Sequence, residues 1–97
     1  MGLTPGKRLQ AARELMGISR SDFAAMFGIR YLRLVTIEND RGRMSIDDLE
    51  PIARRYPELI HWLVLSEPLS ADKLIASENQ DIRKLADNLE THGLPEV

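Results

Sequence analysis

Residues 19–43, SRSDFAAMFGIRYLRLVTIENDRGR, constrain the fold more than any other stretch, because they read as two short helices hinged at a single glycine. The first opens at Ser19, whose hydroxyl can accept from the backbone N–H three residues on while Asp22 reaches back, a capping box. Phe23, Ala24 and Phe27 are its apolar positions. Gly28 supplies the left-handed backbone that ends a helix within a few residues. Ile29 anchors the turn, and a second helix is expected over residues 31–39.

The second helix carries the more informative pattern. At 100° per residue, with Leu34 at the centre of the buried face, Ile37 and Glu38 fall near it. Leu32, Val35, Thr36 and Asn39 point the other way, flanked by Tyr31 and Arg33. Outward Leu and Val have two explanations. Another part of the fold or a partner subunit covers them, or the face enters a DNA major groove, where they pack on thymine methyls and Arg takes guanine O6 and N7. The neighbouring arginines favour the groove.

On these residues, with small Ala24, Gly28 at the turn, buried Leu34 and Ile37 and a closing Glu38-Asn39, residues 6–67 resemble the Cro and phage-repressor type of helix-turn-helix DNA-binding domain, the lambda repressor-like or XRE family. The resemblance implies an all-α, five-helix domain at 1–67; it does not cover residues 68–97, where the sequence pattern predicts a C-terminal helical extension. It implies that the second helix of the motif reads bases, through Tyr31, Leu32, Arg33 and Thr36. Phosphate contacts fall to Arg20, Arg30, Asn39, Arg41 and Arg43. Three positions depart from the family pattern: Arg20 replaces the usual Gln, Arg30 a small capping residue, and Asp40 a common glycine, with Gly42 two residues later.

A formal net charge of −2 opposes DNA binding only if it is spread evenly, and it is not. Residues 1–43 hold eight basic and four acidic side chains, net +4, whereas residues 44–97 hold five and eleven, net −6. The basic half can meet phosphate while the acidic half faces solvent, a partner or another subunit. Ninety-seven residues at 43% apolar content suffice for one core. With no cysteine there is neither a disulfide framework nor a thiolate zinc finger. No apolar run approaches the length of a signal peptide or membrane span, so a cytoplasmic protein without membrane attachment is expected.

Around the motif, Thr4 and Pro5 open a first helix whose stripe is Leu9, Ala12, Leu15 and Met16, leaving Lys7, Arg8 and Arg13 on the polar side. Solvent or flanking phosphates would occupy Lys7 and Arg8. Ser45 and Asp48 form a second capping box before a helix with Leu49, Ile52, Ala53 and Tyr56 inside, and Pro51 predicts a kink or a late start near Glu50. Residues 57–65 are too apolar for one stripe: Leu59, Trp62 and Leu63 complete the core, and Ile60 and Val64 are left for a partner subunit. A connector with one short helical turn around residues 72–76 precedes a last helix that starts at Ser77, with Gln80 as its reciprocal cap, and ends at Gly93. Its stripe of Ile82, Leu85, Ala86 and Leu89 either packs on its own domain or adds Ile82, Leu85 and Leu89 to a dimer or partner interface.

Enzyme chemistry finds no support. His61 and His92 have no second ligand at metal spacing, Asp47-Asp48 suits helix capping, and there is no phosphate-binding glycine loop, so neither a metal nor a cofactor is expected. The expected function is a sequence-specific transcriptional regulator, a homodimeric repressor on a palindromic operator in double-stranded DNA. Two other functions fit the same residues: an antitoxin that represses its own operon and holds a basic toxin, and a protein-interaction module that has lost DNA binding.

Overall fold

The computed structural model describes residues 3–93, and the outermost residues of the two expected segments, 1–2 and 94–97, lie outside that range. The described residues form seven α-helices and no strand. These are α1 Pro5–Leu15, α2 Arg20–Phe27, α3 Tyr31–Glu38, α4 Ile46–Arg55, α5 Ile60–Leu65, α6 Ala71–Ile75 and α7 Gln80–His92, with a 3-10 turn, Pro57–Leu59, leading into α5. The expected C-terminal extension is thus two helices, α6 and α7. They bury Leu74, Ile82 and Leu85 in the same core as α1 to α5.

Local chemistry explains most helix starts. Thr4 Oγ1 accepts from the Lys7 N–H at 3.2 Å, and Pro5 takes the first helical position. Ser45 and Asp48 complete both halves of their capping box, and α4 begins directly at Ile46. Pro51 therefore causes no late start: the cap before it and the burial of Ile52 and Tyr56 after it outweigh one lost backbone bond. At α7 the expected cap is displaced by two residues. Asn79 is the N-cap, its Oδ1 accepting from the Asp81 and Ile82 N–H groups at 2.9 and 3.4 Å. Ser77 instead donates its hydroxyl to Glu58 and accepts from the Asn79 N–H, so it ties the helix start to the α5 turn.

Two arginines expected on the polar side of α1 lie inside. Arg8 donates to the Leu63 carbonyl through Nε at 3.2 Å and Nη2 at 2.9 Å, and to the Leu3 carbonyl through Nη1. Burial is tolerable because its donors find acceptors, and it removes Arg8 from any phosphate. Arg13 is buried against Glu38. Lys7 is half-buried and donates to Gln10.

Helix α7 packs on α1 and α6. Asn88 Nδ2 donates to the Leu15 carbonyl at 2.6 Å, which satisfies an orphan acceptor at the end of α1. Tyr56 donates its hydroxyl to Asp81 at 2.7 Å. Ile82 and Leu85 are fully buried by these contacts, which corrects their assignment to a subunit interface: their apolar surface is already spent within the chain. The core of the fifth helix matches expectation, with Leu59, Trp62 and Leu63 buried.

Candidate nucleic-acid interface

Helices α1 and α2 and a buried ion cluster hold α3 in place. Ser19 caps α2 by accepting from the Asp22 N–H at 3.1 Å, and only this half of the expected capping box forms. Gly28 ends α2 at φ +63°, where a Cβ would meet no neighbouring atom, so its role is conformational rather than steric. Gly6 has the opposite role: a Cβ there would lie 2.0 Å from the Ile37 carbonyl oxygen. The start of α1 can rest directly on the end of α3 only because this position carries no side chain.

Glu38 lies at the centre of the arrangement and is fully buried. It accepts from Arg13 Nε at 2.7 Å and Nη2 at 2.9 Å, a bidentate pair, and from Arg20 Nε at 2.9 Å. Arg13 also donates from Nη1 to the Ile18 carbonyl at 2.9 Å. One carboxylate therefore joins α1, α2 and α3 and fixes the angle at which α3 is presented. The Glu38 hydrogen bond raises the Arg20 pKa further. Arg20, expected among the phosphate contacts, commits its Nε to Glu38, and its side chain is 31% exposed.

The outward face of α3 is apolar at its tip. Leu32 is 75% exposed and Tyr31 47% exposed, next to each other at the start of the helix, whereas Val35 is half-buried. Thr36 is half-buried as well. Its hydroxyl donates to the Leu32 carbonyl at 2.8 Å, so its donor is spent and its methyl and the oxygen's lone pairs remain for contact. That methyl borders the loop, where a Cβ on Gly42 would come within 2.9 Å of it.

Arg33, expected beside these residues as a base reader, is drawn sideways to the loop and to α4. Its Nη2 donates to Asp48 at 2.7 Å and to the Arg43 carbonyl at 3.0 Å. Burial alone would raise the Asp48 pKa, but hydrogen bonds from Arg33 and from the Ser45 N–H and hydroxyl prevail and hold it below the usual carboxylate range. The part played by Asp48 was invisible in the sequence, since 15 residues separate it from Arg33 and its capping role already accounted for it.

The loop after α3 carries the remaining candidates. Asp40 adopts φ +60°, a conformation Asp tolerates better than most residues, and its Oδ1 accepts from Thr4 Oγ1 at 2.6 Å. That bond pins the loop to the start of α1. Arg30, Asn39, Arg41 and Arg43 are all exposed around the rim of α3. A cleft of about 700 Å³ lies between the loop, the start of α1 and α5, lined among others by Arg41, Arg43, Met44 and Val64.

Val64 is exposed and borders this cleft, Ile60 is half-buried, and Leu65, which the sequence pattern did not single out, is more exposed than either. Leu89 is half-buried on the core. The structure joins α3 to the loop through Arg33 and the Arg43 carbonyl, and Arg41, Arg43 and Val64 line the same cleft.

Comparison with known proteins points the same way. Over 80 residues, 82% of its length, the chain is 32% identical to the HTH-type transcriptional regulator PuuR of Escherichia coli (strain K12), and equally to PuuR of Shigella flexneri. The chain spans 43% of the length of these curated relatives. No family model and no solved structure matches it. The similarity is thus to part of a helix-turn-helix regulator.

Proposed function

We propose that the chain is a sequence-specific DNA-binding transcriptional regulator of the Cro and phage-repressor kind, acting as a homodimeric repressor on an inverted-repeat operator. The observation that carries this reading is the exposed Leu32 at the tip of α3, next to Tyr31, on a helix preceded by the exposed Arg30 and followed by a loop with the exposed Arg41 and Arg43. Exposed apolar side chains on a helix flanked by cationic residues suit a groove lined by methyl groups and flanked by phosphates. Leu32 and the Thr36 methyl discriminate thymine by packing, and Tyr31 touches base or phosphate. Arg20, Arg30, Asn39, Arg41 and Arg43 hold the backbone and set the register, and the cations release condensed counterions.

Repression requires no chemistry from the protein: an occupied operator that overlaps a promoter excludes the polymerase. Similarity to a helix-turn-helix regulator supports this reading. The second subunit is expected on Ile60, Val64 and Leu65, the apolar surface of α5 left over by the core. The two α3 helices of such a dimer would enter successive major grooves about 34 Å apart.

The reading is tested by replacing operator thymines with uracil, which lacks the methyl, one position at a time. At least one replacement should weaken binding of the parent protein and leave Leu32→Ala unaffected. Unchanged affinity at every position would mean that the tip of α3 does not read DNA.

A further inference from the structure

Both hydrogens of Arg33 Nη2 are committed, one to Asp48 Oδ2 at 2.7 Å and one to the Arg43 carbonyl at 3.0 Å. A guanidinium offers a planar acceptor pair two forks, Nε with Nη2 and Nη1 with Nη2. Arg13 uses the first of these on Glu38. Each fork needs one Nη2 hydrogen, so in this geometry Arg33 has no free fork with which to take guanine O6 and N7.

The acceptor is fixed independently of Arg33. Asp48 Oδ2 also takes the Ser45 N–H at 2.8 Å and the Ser45 hydroxyl at 3.0 Å, so the cap of α4 holds it whether or not Arg33 is there. Arg33 is the mobile member, its side chain 41% exposed against 14% for Asp48. Rotating away costs Arg33 a partly solvated ion pair and leaves α4 capped.

We propose that Asp48 is an internal competitor for Arg33, occupying the donors with which Arg33 would read a guanine and so lowering the affinity of the protein for its operator. This deepens the function proposed above and rests on it. On a duplex with guanine in reach, Arg33 exchanges the Asp48 carboxylate for O6 and N7; on other sequences it stays on Asp48.

The test compares Asp48→Asn with Asp47→Asn, on the selected operator duplex and on a shuffled duplex. Asn at 48 keeps an oxygen for the Ser45 N–H and removes the charge. Asp47 is exposed in the same helical turn, so its replacement makes the same change in net charge without touching Arg33. Asp48→Asn should tighten operator binding about two- to fivefold more than Asp47→Asn does, the range expected for releasing a partly exposed ion pair. The difference should vanish in an Arg33→Ala background, and also when the guanine is replaced by 7-deazaguanine, which lacks the N7 acceptor. Equal effects of the two Asn variants, or weaker binding by Asp48→Asn, would overturn the competitor role while leaving DNA binding intact. Failure of the parent protein to bind any selected duplex would overturn the underlying function and this inference with it.

Discussion

Replacing Glu38 by alanine removes the acceptor of three hydrogen bonds from two arginines, at 2.7, 2.9 and 2.9 Å. The two arginines are not equally affected. Arg20 is 31% exposed and can turn to water, whereas the Arg13 side chain is 8% exposed and would keep the Ile18 carbonyl and, 3.9 Å away, the solvent-exposed Glu14 carboxylate. The loss is therefore that of one buried charge left with a distant, solvent-screened partner, about 3–5 kcal/mol. Against a total stability of about 5–15 kcal/mol for a small domain, that is about a fifth or more. Urea unfolding followed by far-UV circular dichroism should show a midpoint lower by about 2 M if the slope is about 2 kcal/mol per M. The deficit should persist at high salt, because a buried pair is weakly screened. The double replacement Arg13→Met with Glu38→Met should recover stability, since it removes both charges at once. A cost below about 1 kcal/mol for Glu38→Ala, or no recovery in the double variant, would refute the assignment of a buried charge cluster to the α1, α2 and α3 junction.

Arg41→Ala or Arg43→Ala should weaken binding to specific and non-specific DNA alike and reduce the salt slope by about one counterion each; a slope equal to the parent's would remove that residue from the phosphate contacts. Tyr56, pushed up to about 12 by burial and by its hydrogen bond to Asp81, should titrate late at 295 nm. The unfolded chain loses this proton near pH 10 and the folded one near 12, so the unfolded state binds fewer protons across that window and stability falls as pH rises through it. Polar residues at Ile60 and Val64 should leave a folded protein of half the mass by light scattering, whereas Ile82→Ala should cost about 2–5 kcal/mol of stability because its side chain lies in the core.

What the sequence made legible was local. The Ser45 and Asp48 box, the turn at Gly28 and the division of the fifth helix into buried Leu59, Trp62 and Leu63 all follow from spacings of a few residues, where backbone geometry leaves little choice. The misread residues are those whose partners lie far along the chain. Arg8 was assigned to the surface because its acceptor is a carbonyl 55 residues away, and Arg13 because Glu38 is 25 residues away. Periodicity marked the stripe of Ile82 and Leu85 correctly but could not say that α1 covers it. At the candidate interface the exposure of Leu32 followed from helical phase, while the diversion of Arg33 to Asp48 depends on how the loop folds back toward α4. Asp40 in a left-handed conformation is intermediate: the position was recognisable as a glycine substitute, but its bond to Thr4 was not.

The most direct test of the central claim, that α3 reads DNA from its exposed tip, is selection of bound duplexes from a random pool by the purified protein. The account predicts an enriched inverted repeat whose half-sites are centred about one helical turn apart, each with thymines and a guanine. It also predicts that Leu32→Ala selects a motif with weaker thymine preference. A single half-site would contradict only the dimer, whereas a selected pool indistinguishable from the input would contradict sequence-specific DNA binding by this chain.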